Sequence, residues 1–326
     1  MSEYGPSLTP RMRPINPKRS TIVSVLDVGT SKVVCLIAEL LPASGAEALK
    51  GRTHKARIIG LGHQRARGIK GGAIIDLEAA EHSIRLAIDA AERMARVEVR
   101  SVIVNMTGGR LKSEAYTAEI FLRGQGVADG DIRRVFEAMS FTGAETGRSV
   151  LHSLPTGFSI DETRHIRDPH GMIGEKLGVD MHILTSDEYA IRNLMLAVER
   201  CHVGVEAVVA SPYASGLSCL VDDEAEMGVA VVDLGGGTTS VGVFSNGVLV
   251  HADAVAVGGN HITMDIARGL STGINHAERL KTLYGSTLAS PSDDRETVAV
   301  ASVDEAQGDH VYHIPKSQLV RIIRPR

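Results

Sequence analysis

The chain of 326 residues is long enough for two domains or one large split domain, and its 43% hydrophobic residues can fill substantial cores. The 35 Lys and Arg residues nearly balance the 39 Asp and Glu residues, so the net charge of −4 gives no reason to expect a nucleic-acid or polyanion partner. The absence of Trp and the small numbers of Phe and Tyr also argue against a surface that stacks bases or sugar rings.

The cysteines and the termini indicate the compartment. Cys35, Cys201 and Cys219 stand in apolar surroundings without a C-x-x-C pair, so they are expected to be buried thiols of a reducing cytoplasm. No stretch has the roughly 18 apolar residues of a membrane-spanning helix, and the N-terminus lacks the apolar core of a signal peptide. The proline-rich residues 1–20 are predicted to be a disordered tail.

The first folded part reads as an α/β unit. Apolar strand patterns between Thr21 and Gln64 predict a three-stranded meander. Asp76 is expected to cap a helix whose apolar residues recur every three or four positions as far as Met94, and an apolar strand follows at 101–108. This succession of strands, helix and strand is typical of an α/β unit.

The later elements are less regular. A smaller module of short strands and a helix is predicted between 105 and 181, where it is expected to be an insertion. Ser186 is expected to cap the helix that follows, and Val229 begins a second strand meander. Beyond Gly258 two helices and short strands are predicted, and no closing strands or final helix can be recognised before Arg326.

A repeated hairpin is the most informative feature. The stretches VLDVGTSKVVCLI and VVDLGGGTTSVGVF share an aspartate after apolar residues, a glycine, a hydroxyl-rich turn and a returning strand. Their aspartates, Asp27 and Asp233, lie 206 residues apart, so two similar α/β halves could face each other across a cleft. The second copy has more glycines than a hairpin turn needs, which predicts that something approaches its backbone closely.

Such a hairpin has the chemistry of a phosphate site. Glycines let the backbone turn without a Cβ, which would direct successive N–H groups into a concave nest for phosphate oxygens. Asp27 and Asp233, at the strand ends, are placed to hold a Mg²⁺ ion that keeps most of its water ligands. Either hairpin alone could instead be an ordinary tight turn. Further donors could come from the hydroxyl groups of Thr30, Ser31, Thr238 and Thr239 and from the ammonium group of Lys32.

With these motifs the chain resembles the superfamily of actin, Hsp70 and sugar kinases, and within it most closely the FtsA family of bacterial cell-division proteins. The resemblance extends from Thr21 to Arg326 and includes RGIKGGAIIDLEAAEHSIRLAIDAAERMA, LHSLPTGFSID and GGNHITMDIA. It implies an α/β, actin-like (ribonuclease H-like) two-lobed fold with an inserted FtsA-type subdomain. The implied divisions are the tail at 1–20, subdomain 1A at 21–104, the inserted subdomain 1C at 105–181, a return to 1A at 182–203, subdomain 2A at 204–262 and a shortened subdomain 2B at 263–326.

The resemblance also implies a function. Members of this family are expected to be ATP-binding adaptors that tether polymers of the tubulin-like FtsZ to the cytoplasmic face of the inner membrane at the septum, self-associate into filaments and recruit later division proteins. ATP and Mg²⁺ are the implied cofactors. The family's later Gly-rich adenosine motif and its membrane-binding terminal helix would lie beyond Arg326, so the chain is expected to be a truncated fragment.

The candidate site residues follow from matching the motifs. Glu278 and Lys281 resemble the family's adenosine-side pair, although an i,i+3 Glu and Lys pair is also common on a solvated helix face. Arg326 falls near the family's FtsZ-contact region. The candidate nucleotide-binding residues are Asp27, Gly29, Thr30, Ser31 and Lys32 in the first hairpin, Asp233, Gly235, Gly236, Gly237, Thr238 and Thr239 in the second, and Gly258, Gly259, Asn260, Glu278 and Lys281 further on.

Catalysis is expected to be slow at most. Hydrolysis needs a residue that orients the attacking water. Hsp70-like relatives carry a carboxylate in the segment that matches VVASPYASGL, where this chain has Ser211 and Pro212, which leaves Asp233 as the candidate for ordering a water or the metal. Two alternatives remain open: a sugar-type small-molecule kinase, which needs a carboxylate base aimed at a substrate hydroxyl, and an Hsp70-like ATPase, which needs a peptide-binding β domain.

Overall fold

The computed structural model describes residues 10, 12, 14–43, 53–108, 110–124, 126–139, 147–302 and 311–326. The chain divides into two compact units, one ending at Ala256 and the other running from Val257 to Arg326. The tail predicted at 1–20 lies partly outside the described residues. Within its described part, the Arg19 N–H donates to the Asn16 carbonyl at 3.2 Å and closes a turn.

The elements alternate between strands and helices. Those of the first unit are β1 (Thr21–Val28), β2 (Lys32–Pro42), β3 (His54–Arg65), β4 (Ile69–Lys70), β5 (Ala73–Ile74), α1 (Leu77–Ala95), β6 (Ser101–Met106), β7 (Lys112–Phe121), α2 (Asp129–Ala138), β8 (Arg148–Ile160), β9 (Thr163–Ile166), β10 (Lys176–Asp187), α3 (Glu188–Glu199), β11 (Gly204–Ala210), α4 (Ser211–Cys219), α5 (Asp222–Met227), β12 (Val229–Leu234), β13 (Thr239–Ser245) and β14 (Val248–Val255). Those of the second unit are α6 (Gly259–Gly269), α7 (Ile274–Tyr284), β15 (Thr297–Ala301), β16 (Val311–Pro315) and α8 (Lys316–Ile323).

A mixed five-stranded sheet carries the first hairpin. Its order is β11-β6-β1-β2-β3. The predicted meander of β1, β2 and β3 is antiparallel, whereas β6 runs parallel to β1 and β11 runs parallel to β6. Parallel strands need a crossover, and α1 supplies the one between the meander and β6. The carboxyl ends of β1, β6 and β11 therefore lie at one edge of the sheet, beside the first hairpin turn.

The helices that flank this sheet begin at carboxylate caps. Asp76 caps α1 as predicted, since its Oδ1 accepts from the Ala79 N–H at 3.1 Å. The prediction for α3 was wrong by one residue, because Asp187 is the cap and accepts from the Ala190 N–H at 3.0 Å. Ser186 is fully buried in β10, where strand pairing extends further than the apolar pattern indicated.

The predicted small module has its own sheet and its own core. The strand order is β7-β10-β8-β9, with antiparallel pairing throughout. Its buried side chains, among them Val135 of α2 and Leu177 and Val179 of β10, form a cluster apart from the core under the five-stranded sheet. A separate core is what an inserted module needs in order to keep its shape. The short strand β9 was not predicted.

The second meander, β12-β13-β14, is antiparallel and contacts α4. Helix α4 follows β11 directly and lies on β13, where Gly216 leaves room for the ring of Phe244. A Cβ at Gly216 would fall 2.1 Å from Phe244 Cζ. Helix α4 therefore connects the five-stranded sheet to the second meander both along the chain and by packing.

The second unit packs three helices with the β15-β16 hairpin. Its core joins Ile266 of α6, Leu280 of α7, Val300 of β15 and Leu319 of α8. Helix α8 was not predicted, because its eight residues are fewer than the roughly 11–18 over which a helical pattern is read, although Leu319, Val320 and Ile323 do lie at helical spacing.

The burial of the cysteines and the character of the helices bear on two of the predictions. Cys35 is buried, but Cys201 is only partly buried and Cys219 is exposed, so the prediction of three buried thiols was wrong. Cys219 is the last residue of α4 and lies near the exposed Leu217 and Val221. Within the described residues, no helix combines the length and apolar character needed to cross a bilayer.

Candidate functional site

The two repeated hairpins have the same backbone design. Val28 pairs with Val33 and Leu234 pairs with Thr239, so four residues form each turn. In the first turn the Gly29 N–H donates to the carbonyl three residues later at 3.0 Å, and in the second the Gly235 N–H does so at 2.9 Å. The repeat recognised in the sequence is therefore a repeat of structure.

The two turns meet. A Cβ at Gly237 would fall 2.6 Å from Cγ2 and 2.7 Å from Oγ1 of Thr30. The group that the surplus glycines predicted close to the second hairpin is therefore the first hairpin. None of Gly29, Gly235, Gly236 and Gly237 has φ in the left-handed region. Close contact, and not a left-handed backbone, requires the absence of a side chain at Gly237.

A second pair of glycines supports the first turn, and sequence reasoning missed it. Gly72, at φ +76° in the β4–β5 turn, lies so close to Gly108 that a Cβ at either residue would come within 2.7 Å of the other's backbone. The Gly72 N–H donates to Thr30 Oγ1 at 3.1 Å. The doublet KGGA, at 70–73, was the available signal, but its partner is distant in the sequence.

The aspartates of the repeat face a shared space. Burial raises the pKa of the Asp27 carboxyl above its usual value, and the negative charge of Asp233 adds to that rise. A hydrogen bond from Asn105 Nδ2, at 3.0 Å, and the positive charge of Lys32 act in the opposite direction. Lys32 is exposed beside the first turn. A cation bound near Asp27 and Asp233 would reduce the repulsion between their negative charges.

Helix α4 holds both aspartates through hydrogen bonds. Ser215 Oγ donates to Asp233 Oδ2 at 3.0 Å. Ser211, at the start of the helix and 1% exposed, lies 3.0 Å from Asn105 Oδ1 and 2.9 Å from Thr107 Oγ1. The position that could have carried a water-orienting carboxylate is therefore a buried, fully bonded hydroxyl. Asn105, Thr107 and Ser215 were absent from the residues predicted from sequence.

The donors fit a hydrated magnesium ion better than a dehydrated metal. Among the described residues, no group of three or more His, Cys, Asp or Glu side chains is arranged to hold a metal. Mg²⁺ needs only one or two carboxylates when waters and phosphate oxygens complete its octahedron, and Asp27 with Asp233 could provide them. The hydroxyls of Thr30 and Thr238 lie in the same two turns, although Thr238 is only 4% exposed.

A cavity of about 410 Å³ adjoins the turns. Its lining includes Thr238 of the second turn, Thr107 and Gly108 after β6, and Asp187 at the start of α3. A cavity of about 600 Å³ lies elsewhere, between the β8–β9 hairpin and helices α4 and α5. Of the predicted site residues, Thr238 lines the smaller cavity, whereas Asp27 and Asp233 do not.

The remaining candidates cluster within the second unit. Lys281 Nζ donates to Glu278 Oε2 at 2.7 Å, to Thr263 Oγ1 at 2.9 Å and to the Gly259 carbonyl at 3.2 Å. Burial alone would raise the pKa of Glu278, but the hydrogen bonds from Lys281 and Thr263 and the charge of Lys281 lower it. The side chain of Lys281 is 22% exposed. The alternative of a plain solvated helix face was therefore wrong for this lysine, which joins α7 to the start of α6.

The residues beside that cluster are placed as follows. Gly258 precedes α6 and its N–H donates to His261 Nδ1 at 3.1 Å. Asn260 lies in the first turn of the helix. Arg326, the predicted partner contact, donates from Nε to Asp265 Oδ2 at 2.6 Å and from Nη2 to Asp265 Oδ1 at 3.4 Å.

Comparisons with known proteins agree with these features. The family model described as "Cell division protein FtsA" matches residues 230–320, and the model described as "SHS2 domain inserted in FTSA" matches residues 108–185. The cell division protein FtsA of Rhizobium meliloti (strain 1021) is 52% identical over 317 residues, which cover 97% of this chain and 72% of the relative.

Solved structures are similar in fold at low sequence identity. A chain of the PilM-PilN type IV pilus biogenesis complex matches with a TM-score of 0.56 and 15% identity, covering 81% of this chain and 70% of that chain. MreB5 of Spiroplasma citri bound to ADP matches with a TM-score of 0.50 and 16% identity, covering 95% of this chain and 75% of that one. These matches, together with the inserted-domain match, confirm the predicted actin-like α/β fold class.

Proposed function

The chain belongs to the FtsA family of actin-like cell-division proteins, and from that premise we propose that it is an ATP-binding adaptor for the tubulin-like FtsZ. In this role it links FtsZ polymers to the cytoplasmic face of the inner membrane at the septum. It assembles with further copies of itself and recruits later division proteins.

The observation that carries this proposal is the meeting of the two hairpin turns. Gly237 lies against Thr30, and the charge of Asp233 acts on Asp27 across the same space. Two acidic turns that converge in this way suit one polyphosphate and its magnesium ion. The MreB5 structure has ADP bound, and its similar fold supports nucleotide binding by this chain.

Asp27 and Asp233 would orient the hydrated magnesium ion, which would supply charge neutralisation for the phosphates. The turn hydroxyls and Lys32 would bind phosphate oxygens. By likeness to the family, the segment from Gly258 to Asn260 and the pair Glu278 and Lys281 are further proposed nucleotide-binding residues. Since Lys281 already has three acceptors, contact with a nucleotide would require it to exchange one of them.

Nucleotide would act as a conformational switch more than as a substrate for rapid turnover. The hydroxyl of Ser211 is buried and hydrogen-bonded, so it is not a general base for water. Asp233 is the proposed residue for ordering water or metal. A sugar-type kinase is disfavoured for a similar reason, because it needs a carboxylate base and the start of α4 carries Ser211 instead.

The proposed domain boundaries follow the family: 21–104 and 182–203 for subdomain 1A, 105–181 for the insertion, 204–262 for subdomain 2A and 263–326 for part of 2B. Membrane attachment belongs to the same proposal, as does an FtsZ contact near Arg326.

Co-sedimentation tests the adaptor role. The chain would be mixed with preassembled FtsZ polymers and either ATP and Mg²⁺ or no nucleotide, and Arg326→Ala would be compared with Arg279→Ala, which removes another exposed arginine of the second unit. We expect the chain to pellet with FtsZ and the Arg326 variant to pellet less. If the chain stays in the supernatant whenever FtsZ pellets, the adaptor role is contradicted.

A further inference from the structure

We infer that Ser215 of helix α4 and the chain of Asn105, Ser211 and Thr107 are positioning residues, which hold the carboxylates of Asp233 and Asp27 in the orientation that receives magnesium-bound nucleotide. This inference rests on the proposed nucleotide binding and adds residues outside both hairpins.

The hydrogen bonds to Asp27 form a directed chain. Asn105 Nδ2 donates to Asp27 Oδ1, so the amide oxygen of Asn105 is left as the acceptor for the Ser211 hydroxyl. The Ser211 hydroxyl has one proton and two acceptors within reach, Asn105 Oδ1 at 3.0 Å and Thr107 Oγ1 at 2.9 Å. When that proton goes to Asn105, Ser211 and Asn105 both donate in the direction of the Asp27 carboxylate. Such a chain polarises its members and fixes the side chain at its end.

The second carboxylate has a shorter connection to the same helix. Ser215 is four residues after Ser211, so both serines lie on one face of α4. Ser215 Oγ donates to Asp233 Oδ2 at 3.0 Å, which leaves the other oxygen of that carboxylate for a magnesium-bound water. One helix face thus holds both members of the repeated aspartate pair.

Packing against β13 keeps helix α4 in place. The ring of Phe244 occupies the space that a side chain at Gly216 would need, and a Cβ at Gly242 of β13 would fall 2.9 Å from the Pro212 carbonyl. The helix therefore cannot slide along β13 without steric overlap. A movement of the second meander carries α4 with it and alters the hydrogen bonds to both aspartates.

The hydrogen bonds of Ser211 explain why a serine suits position 211 better than a carboxylate. A third carboxylate at position 211 would add negative charge beside a half-buried pair, in which burial and then the charge of Asp233 already raise the pKa of Asp27. A hydroxyl donates a proton and adds no charge. Positioning, without proton transfer, is what this side chain can contribute.

Equilibrium binding of ATP with and without Mg²⁺ tests the inference. The readout is the ratio of the two affinities, measured for wild type, Ser215→Ala and Asn105→Ala. We expect the ratio of the ATP affinity with Mg²⁺ to the affinity without it to be roughly tenfold smaller in each variant than in wild type, which is the effect of losing one hydrogen bond to a charged group. The affinity for ATP in EDTA is expected to stay unchanged. Ser218→Ala is the matched control, since Ser218 is exposed on α4 and its hydroxyl donates to the Ser215 carbonyl, not to a carboxylate.

Two further variants separate positioning from a general structural effect. Ser215→Thr keeps the hydroxyl and is expected to restore the wild-type ratio. In an Asp233→Ala background, Ser215→Ala is expected to have no additional effect on the ratio, because its partner is gone. An unchanged ratio in Ser215→Ala, or an equal loss in Ser218→Ala, overturns the inference. Wild type that binds no ATP under either condition overturns the proposed function and the inference with it.

Discussion

Gly237 of the second hairpin lies against the side chain of Thr30 in the first, at a distance that leaves no room for a β-carbon. We therefore expect Gly237→Ala to force the turns apart and to destabilise the protein by about 1–3 kcal/mol, as overpacking of a close contact does. Urea unfolding would measure this change. Gly130→Ala is the control, because Gly130 in α2 has open space around its Cβ position.

The same contact predicts a rescue. Thr30→Ala removes the two atoms nearest to the new methyl group, so it should recover part of the stability lost in Gly237→Ala. Strictly additive effects of the two substitutions would show that the turns do not touch.

Asp27 should limit stability at neutral pH. Burial and the charge of Asp233 raise the pKa of its carboxyl, so the native state binds a proton more tightly than the unfolded state. Once the pH exceeds that raised value, the ionised carboxylate costs stability. We expect Asp27→Asn to raise the Tm at pH 7, with an advantage that shrinks as the pH falls, while magnesium-dependent ATP binding is lost. A lower Tm at pH 7 would contradict this explanation.

His152 should make the protein sensitive to mild acid. Burial lowers its pKa to about 4, and the nearby His182 contributes to the same shift. The unfolded chain takes up a proton near pH 6.5 and the native state does not, so stability falls as the pH drops toward 4. His152 Nε2 accepts from the Ala210 N–H at 3.0 Å, and Gln can retain an acceptor there.

Between pH 6.5 and pH 4, the free energy of unfolding should decrease in both proteins, and we expect the decrease in His152→Gln to be roughly 3 kcal/mol smaller than in wild type. The measurement is the free energy of unfolding in urea at several pH values. His63→Gln, which changes an exposed imidazole of β3, is the control. Parallel pH profiles for wild type and His152→Gln would show that another group controls the acid sensitivity.

Lys281 should stabilise the second unit whether or not nucleotide is present. Lys281→Met removes a charged donor shared by Glu278, Thr263 and the Gly259 carbonyl, and we expect a loss of about 2 kcal/mol. Urea unfolding of this variant can be compared with that of Arg279→Met, which changes an exposed residue of the same helix. Equal stabilities of the two variants would mean that the cluster contributes nothing to folding.

Local patterns were sufficient to predict much of this fold. The strand meanders, the Asp76 cap and the two hairpins depend on residues that are near one another in the sequence, where apolar spacing and turn chemistry act directly. The cap at Asp187 was missed because Ser186 is an equally good capping residue, and only the pairing of β10 with β8 decides between them.

The residues outside the hairpins that hydrogen-bond to them could not be predicted from local patterns. Asn105 contacts an aspartate 78 positions away, and Gly72 contacts a threonine 42 positions away. The KGGA doublet marks Gly72 as unusual but does not show its partner, and the roles of both residues arise only when β6 and the β4–β5 turn are brought beside β1. The glycines of the second turn were recognised as unusual, but the group that approaches Gly237 is a side chain from the opposite half of the repeat.

The most direct test of a nucleotide held between the two turns is a double-mutant cycle on the affinity for magnesium-bound ATP, using Asp27→Ala, Asp233→Ala and the combined variant. We predict that each single substitution weakens binding at least tenfold and that the combined loss is clearly smaller than the sum of the two, because both carboxylates serve one metal ion. Unchanged affinity in either single variant, or fully additive losses, would contradict the shared site.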